Sequence, residues 1–253
     1  MLSAQQQSDL TSIVDSSLDR CEELWSSTLG MRRLAKSIKE MAETKIPGHP
    51  YLGDNDYSSD DFIALVVDMR DSTKHLRQAI STKVAKVSQM QRVYYEVSAL
   101  LPAMAKVIQD EHGIVTEYLG DGALALFQVP KEKDKRDQIV YCAHDAAVNC
   151  LEALKIVVNP ALSARYQLPP LEIGIGLAFS SAIVTRFGLP PNTDVKVVGE
   201  CVYFAAELSK ERNQILVHSF LEHIWPTSER GRIRFQPRKV KDLDAYLLGH
   251  AEN

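Results

Sequence analysis

A buried strand that ends in an acidic residue constrains the fold of this chain more than any other feature. Residues 62–69, FIALVVDM, are a short run of apolar and β-branched side chains that ends near Asp68 and is followed at once by the polar segment RDST at 70–73. Such a run predicts a buried strand that leads through a turn into a helix. A carboxylate at the end of a buried strand needs a reason, because an unpaired charge is costly to bury.

A second acidic residue follows a similar pattern. Residues 114–129, IVTEYLGDGALALFQV, predict two apolar strands joined at Gly120-Asp121-Gly122, because Asp-Gly between such runs is a strong hairpin signal. Taken singly, Asp68 and Asp121 have local explanations as a helix cap and a turn residue. The alternative is that neighbouring strands bring the two carboxylates together to bind divalent metal, since two hard oxygen ligands plus substrate phosphates are usual for Mg²⁺.

The RDST segment suggests a phosphate site beside these carboxylates. Its four residues, Arg70, Asp71, Ser72 and Thr73, lie between the predicted strand and the following helix. Backbone N–H groups at such a position point outward and bind anions. We therefore expect a phosphate group to bind there, next to the metal ions.

The remaining patterns predict an α+β fold, a sheet covered by helices. A helix is expected from Ser88, where Gln91 completes a capping box, and others over 134–157 and from Glu200 to about Arg212. Further strands are expected at 171–187, 194–198, 214–218, 232–236 and 244–248.

The N-terminal part of the chain differs from this compact region. Residues 3–44 carry apolar side chains at helical spacing, which predicts one long helix or a helical hairpin broken near Gly30. Residues 47–61 are rich in Pro, Gly, Asn, Asp and Ser, and such a segment marks a boundary. We therefore expect an N-terminal helical extension and linker at 1–60 and one compact domain at 61–253.

Composition limits the partners and the compartment. The 253 residues include 29 basic and 33 acidic side chains, a net charge of -4, which gives no positive field for a nucleic-acid polymer. No window approaches the roughly 20 apolar residues of a membrane span. The cysteines form no CxxC pair, which predicts free thiols in a reducing compartment. We expect a cytoplasmic protein.

Four motifs, in this order, resemble the successive signature segments of the class III nucleotide cyclase catalytic domain. They are FIALVVDMRDST from residue 62, YLGDGALALF from 118, GIGLAFSSAIVTRFG from 174 and VVGECVYFAAEL from 197. The segment RKVKDLDAYLL from residue 238 resembles the closing strands of that domain. The resemblance covers about residues 61–249 and implies the α+β fold of that domain, with a mixed, mainly antiparallel sheet.

The resemblance also implies a reaction and roles for individual residues. Asp68 and Asp121 would bind two Mn²⁺ or Mg²⁺ ions per active site, with the backbone carbonyl of Met69 as a further ligand. The loop 70–73 would bind the β- and γ-phosphates of a nucleoside triphosphate. The implied reaction is attack of the ribose 3′-hydroxyl on the α-phosphate, with pyrophosphate leaving.

Four positions depart from the adenylate cyclase pattern. Glu117 replaces a lysine that reads adenine, Lys196 replaces an aspartate that accepts from the adenine amino group, and Tyr203 replaces an asparagine that orients the ribose. Glu207 replaces an arginine that stabilises the transition-state phosphate. Glu117 accepting from a ring N–H and Lys196 donating to a carbonyl would fit uracil or guanine, but not unprotonated cytosine. Alternatively, Glu117 and Lys196 pair with each other and close the pocket.

The overall pattern is a short chain with a predicted helical N-terminal extension, the motif DMRDST from residue 68 and an altered base pocket. This pattern resembles the bacterial Pycsar pyrimidine cyclases, which make cyclic UMP or cyclic CMP as an anti-phage signal. The donor and acceptor pattern of Glu117 and Lys196 favours UTP over CTP as substrate. The resemblance to class III cyclase domains implies a homodimer with active sites at the interface, and the resemblance to Pycsar cyclases implies a separate effector that reads the product. A guanylate cyclase and a catalytically inactive, nucleotide-binding sensor are the alternatives. Because Glu207 replaces the arginine, another cation must substitute, and the candidates are Arg70, Arg186 and Arg212.

Overall fold

A mixed, mainly antiparallel sheet of eight strands forms the centre of the computed structural model, which describes residues 41–53, 56–77, 87–189, 192–227 and 231–250. The strands are β1 (Met41–Ile46), β2 (His49–Gly53), β3 (Tyr57–Met69), β4 (Ile114–Tyr118), β5 (Gly122–Gln128), β6 (Ile173–Leu189), β7 (Asn192–Gly199), β8 (Ile215–His218), β9 (Ile233–Val240) and β10 (Leu243–His250). Strands β1 and β2 form a separate hairpin, and the large sheet has the order β4-β5-β3-β6-β8-β10-β9, with β7 beside β6. Strands β6 and β8 are parallel.

Helices cover both faces of this sheet. They are α1 (Ser72–Arg77), α2 (Gln89–Asp110), α3 (Lys133–Ala153), α4 (Asn159–Tyr166), α5 (Glu200–Leu208) and α6 (Ser219–His223), and a π-helical segment, Leu154–Val158, joins α3 to α4. The predicted α+β class is therefore confirmed.

The central strand β3 separates two hydrophobic cores. Ile63, Leu65 and Val67 pack with helices α2 and α3 in one core. The alternating residues Phe62, Ala64 and Val66 pack with α5 and the β1–β2 hairpin in the other. Because side chains alternate along a strand, Asp68 lies on the second face, with α5.

Helix α2 begins as the sequence predicts. The Ser88 hydroxyl accepts a hydrogen bond from the Gln91 N–H at 3.3 Å, and the Gln91 side chain accepts one from the Ser88 N–H at 2.9 Å. This capping box satisfies two backbone donors that a helix start would leave unpaired. The helix carries three fully buried side chains, Leu100, Met104 and Ile108, into the first core.

The predicted N-terminal elements differ from the structure where the two overlap. The helix expected to run to about Thr44 is wrong over its last residues, because residues 41–46 form β1. The Thr44 hydroxyl donates to the carbonyl of His49 across the hairpin, and Gly48 adopts a φ of +79° at its turn. The predicted linker at 47–61 contains β2 and the first residues of β3. Residues 1–40, where the rest of the helical extension was predicted, lie outside the described residues.

The described cysteines agree with the predicted free thiols. Cys142, Cys150 and Cys201 form no disulfide in the described part of the chain, and Cys21 lies outside it. Burial raises the pKa of the Cys150 thiol to about 12, so it stays protonated at neutral pH. Among the described helices, none has the length and apolar character needed to span a membrane.

Candidate active site

Two aspartates lie where β3 ends beside the β4–β5 turn. Asp68 pairs in register with Gly122 at the start of β5, and the N–H of Met69 donates to the carbonyl of Asp121 at 3.3 Å. A Cβ on Gly122 would lie 2.5 Å from the Val67 carbonyl oxygen and 3.3 Å from Asp68 Oδ1. Only glycine therefore allows the turn to approach the end of β3 this closely, and this approach brings Asp121 next to Asp68. We call these two residues the aspartate pair.

The chemistry of the aspartate pair fits a hard divalent cation. The Asp68 side chain is 31% exposed, so one edge of its carboxylate faces solvent. Among the described residues, no group of three or more His, Cys, Asp or Glu side chains is placed to bind a metal. Two carboxylates suffice for Mg²⁺ or Mn²⁺ when substrate phosphates and water complete the coordination, so the residues present fit such ions.

Arg70 places a positive charge against this pair. Its guanidinium forms an ion pair with the Asp68 carboxylate, its Nε donates to the Asp68 carbonyl at 3.3 Å, and its Nη1 donates to the Lys210 carbonyl at 3.0 Å. The side chain is 13% exposed. Burial lowers the pKa of Arg70, while the negative charge of Asp121 opposes this shift. An arginine remains charged even so, which makes Arg70 a cation fixed at the aspartate pair.

The segment predicted to bind phosphate has a special backbone conformation. Asp71 has a φ of 60°, in the left-handed region, and α1 begins directly after it, with Ser72 half-buried and Thr73 exposed. The Asp71 carboxylate binds Lys74 Nζ at 2.8 Å and also pairs with Arg212. The hydrogen bond from Lys74, followed by that from Arg212, lowers the pKa of Asp71 to about 2. Asp71 is therefore ionised at neutral pH.

The three candidate cations lie in different surroundings. Arg70 is at the aspartate pair, whereas Arg212 pairs with Asp71 and Glu172. Arg186 lies in the β6–β7 hairpin, where its Nε donates to the Thr193 hydroxyl at 2.9 Å. Of the three, Arg70 is thus the one whose guanidinium touches an aspartate of the pair.

Glu117 and Lys196, the predicted base-reading residues, form an ion pair. Lys196 Nζ lies 3.1 Å from Glu117 Oε1, and the two side chains are 37% and 33% exposed. Glu117 lies on β4 and Lys196 lies on β7. Three other strands separate β4 from β7 in the sheet. In a flat sheet with about 4.8 Å between strands, these two strands would lie about 19 Å apart. The sheet must therefore curve strongly, and β1 packs against both β4 and β7.

Helix α5 carries the other two altered positions. The Tyr203 side chain is 60% exposed. Glu207 binds Lys210 Nζ at 2.6 Å and Lys241 Nζ at 2.5 Å, and these two lysines lower its pKa. The sequence reasoning missed both lysines. Lys210 follows Glu207 at helical spacing and could have been found, but Lys241 comes from the turn between β9 and β10 and leaves no local signal.

Known structures show which fold this is. The chain superposes on the adenylyl cyclase CyaB from P. aeruginosa with a TM-score of 0.62 and 17% identity, over 78% of this chain and 98% of that one. The guanylate cyclase domain of RhGC from Catenaria anguillulae, solved with GTP, gives a TM-score of 0.56 and 15% identity, over 77% of this chain and 100% of that one. The chain therefore has the fold of a nucleotide cyclase catalytic domain, as the sequence predicts.

Sequence comparison finds a relative that matches half of the chain. The adenylate cyclase of Anabaena cylindrica is 24% identical over 129 residues, which are 50% of this chain. The chain spans about a quarter of that relative, since the match covers 24% of its length. No protein-family model matches the chain.

Proposed function

We propose that this protein is a pyrimidine nucleotide cyclase that converts UTP, in preference to CTP, to the 3′,5′-cyclic nucleotide and pyrophosphate. The observation that carries the proposal is the Glu117–Lys196 pair, 3.1 Å across, in a cyclase fold that retains both Asp68 and Asp121. The retained Asp68 and Asp121 support the chemistry of a cyclase. Glu117 and Lys196, which differ from the adenylate cyclase pattern, support recognition of a base other than adenine.

The aspartate pair and the loop at 70–73 account for the reacting end of the substrate. Asp68, Asp121 and the Met69 carbonyl would hold two Mn²⁺ or Mg²⁺ ions, which when bound supply Lewis-acid activation of the ribose 3′-hydroxyl and offset the charge of the leaving pyrophosphate. The bond from O3′ to the α-phosphorus forms as the bond to the pyrophosphate oxygen breaks. Arg70 adds positive charge beside the phosphates, in place of the arginine that Glu207 replaces.

Glu117 and Lys196 pair with each other in the structure, as in the alternative given above, and a base would have to separate the two side chains to bind them. Once separated, they would match the edge of uracil. Uracil presents a ring N–H next to a carbonyl, so a carboxylate that accepts and an ammonium that donates, placed side by side, bind both groups. Unprotonated cytosine presents a ring nitrogen acceptor instead, and the Glu117 carboxylate repels it. The bulk of Tyr203 favours the smaller base.

Two other functions have specific support. Guanine also presents a ring N–H beside a carbonyl, so the same pair is compatible with a guanylate cyclase. Glu207 at the position of the transition-state arginine is the observation that favours an inactive, nucleotide-binding sensor. The retained aspartate pair argues against the sensor.

Exposed apolar side chains support a homodimer. Large hydrophobic side chains exposed by 46 to 60% lie on the β4–β5 turn, the β6–β7 hairpin and helix α5: Tyr118, Leu119, Phe187, Leu189, Val198 and Tyr203. Exposed apolar groups mark an interaction surface where they form a contiguous patch. A second copy of the chain would cover them and bring its own Glu117–Lys196 pair to the aspartate pair.

We propose that a separate effector reads the product as an anti-phage signal, on the basis of the Pycsar resemblance.

The test is to incubate the purified protein with Mn²⁺ and each ribonucleoside triphosphate separately and to resolve the products by mass spectrometry. Cyclic UMP, absent when Asp68→Ala is used, is the expected result. Cyclic GMP alone would replace the proposal with a guanylate cyclase. Triphosphate binding without any product would favour the sensor.

A further inference from the structure

A buried carboxylate lies outside the site described above. Glu96 on α2 has no exposed surface and is the one acidic residue, among those the structure describes, that is buried. One of its oxygens accepts from Arg92 Nε at 2.7 Å, and the other lies 2.9 Å from His75 Nδ1. A charged group is expensive to bury even when it is paired, so the position calls for an explanation beyond packing.

His75 connects this carboxylate to the loop at 70–73. It lies on α1, and its backbone N–H donates to the carbonyl of Asp71 at 3.0 Å, while its ring contacts Glu96. Because a carboxylate only accepts, Nδ1 of His75 must carry the proton in its bond to Glu96. A single path of hydrogen bonds therefore runs from α2 through His75 to the backbone of Asp71.

Helix α1 needs an external anchor to hold its orientation. It has six residues, and a helix this short is not stable in isolation. Helix α2, by contrast, has 22 residues and is fixed in the first core by fully buried side chains. The bond between Glu96 and His75 attaches the short helix to the rigid one, within four residues of the segment where the phosphates would bind.

We propose that Glu96 is a positioning residue for phosphate binding: through His75, it fixes the backbone of residues 70–73 in the orientation that binds the β- and γ-phosphates. This inference rests on the proposed function. Glu96 touches no reacting atom, and Arg92 serves to neutralise it within the protein interior.

The test compares Glu96→Gln, His75→Asn and the double variant with Ile108→Ala. Ile108 is fully buried on the same helix, about 18 Å from Glu96 at about 1.5 Å per residue, so its variant controls for lost stability alone. Binding of manganese pyrophosphate is measured by calorimetry, and KM and kcat are measured with the triphosphate that is turned over. Unfolding midpoints are recorded for every variant.

We expect each single variant to weaken pyrophosphate binding and to raise KM by about tenfold, with kcat lowered less than about threefold. The double variant should lose no more than either single one, because both remove the same connection. Ile108→Ala should change stability without changing binding. Wild-type affinity in Glu96→Gln, or losses that add in the double variant, would overturn the positioning role.

The two proposals fail separately. If the wild-type protein binds manganese pyrophosphate but turns over no triphosphate, the proposed function fails, and the calorimetric comparison still decides the role of Glu96. If the wild-type protein does not bind manganese pyrophosphate, residues 70–73 are not a phosphate site and the inference on Glu96 fails.

Discussion

The two ends of the candidate site are built differently. At the aspartate pair, backbone contacts set the geometry: Met69 binds the carbonyl of Asp121, and Gly122 permits the close approach to Asp68. At the other end, side chains from distant strands pair with each other, as Glu117 on β4 does with Lys196 on β7. We therefore expect the Glu117–Lys196 pair to tolerate substitution better than the aspartate pair, because an exchanged side-chain pair leaves the strands in place.

Removal of one member of the aspartate pair should have the largest effect. Asp68→Asn keeps the shape of the side chain but removes the charge that would bind metal in the proposed function, so we expect kcat to fall by at least about 1,000-fold. The matched control is Asp61→Asn, the same change on the same strand β3, at a residue that instead binds the Ser181 hydroxyl. Product formation measured by mass spectrometry should be close to the wild-type level in the control. Residual product formation above a few per cent in Asp68→Asn would show that the cyclisation reaction does not depend on the aspartate pair.

The candidate cations can be separated by conservative substitution. Arg70→Lys keeps the charge but loses the planar fork that contacts Asp68, so we expect kcat to fall by about 100-fold. Arg186→Lys, in the β6–β7 hairpin, should change kcat less than about twofold. Steady-state kinetics on both variants decides between them. A larger loss of kcat in Arg186→Lys than in Arg70→Lys would mean that Arg186, in the β6–β7 hairpin, is the required cation.

An exchange at the Glu117–Lys196 pair should alter base choice without stopping the chemistry. The double variant E117K/K196D restores the side chains that adenylate cyclases have at these positions and keeps opposite charges in contact. We expect the ratio of kcat/KM for ATP over UTP to rise by about 100-fold. The single variant E117K, which places two lysines together, should lose activity with every triphosphate. An unchanged preference in the double variant would mean that the pair does not contact the base.

The same difference between the two ends explains what the sequence could predict. Asp68 and Asp121 were found because each follows a local signal, an apolar strand in one case and an Asp-Gly turn in the other. Their approach depends only on the pairing of β3 with β5, which a hairpin beside a buried strand favours. Each of the four cyclase motifs lies within one strand or joins two consecutive elements of the chain, so the fold class could also be predicted.

The remaining contacts depend on long-range geometry that local patterns do not encode. The contact between Glu117 and Lys196 requires a strongly curved sheet, so the sequence left pairing and base binding as alternatives. The sequence predicts helix at the start of β1 because Met41 continues the helical spacing of the apolar residues before it. The structure instead pairs β1 with β2, and this hairpin buries Ile46 and Leu52 in the second core. The bond between His75 and Glu96 joins two helices and has no sequence signature.

The lysines around Glu207 predict a smaller effect on stability. Glu207→Gln removes the negative charge between Lys210 and Lys241, so we expect the free energy of unfolding to fall by about 1 kcal/mol at low salt and by less at high salt. The matched control is Glu132→Gln, which removes a pair with Lys135 in which both side chains are mostly exposed. Denaturant unfolding of the control should show almost no change. An equal fall in the free energy of unfolding in both variants would mean that the partly buried position of Glu207 does not strengthen its ion pairs.

The smallest expected effect concerns His218, which packs against Phe204 of helix α5. Its ring stacks on Phe204 with 4.2 Å between centroids, and its Nδ1 accepts from the N–H of Phe220 at 3.3 Å. Burial lowers the pKa of His218, while the carboxylates of Glu200 and Asp244 oppose the shift. As pH falls, the unfolded chain therefore binds the proton first, and the contribution of His218 to stability is full above about 6.5 and declines below it.

The variant His218→Asn tests this dependence, because its amide oxygen can still accept from Phe220 but does not titrate. We expect the melting temperature of the wild type to fall by about 2 °C more than that of the variant between about pH 7.5 and about pH 5.5. Near neutral pH the variant should be the less stable protein, since it lacks the ring that stacks on Phe204, and the gap should narrow as the pH falls. If the melting temperatures of the wild type and the variant fell equally across this pH range, the packing beneath α5 would accommodate a protonated ring. The region around helix α5 would then tolerate charge as well as substitution.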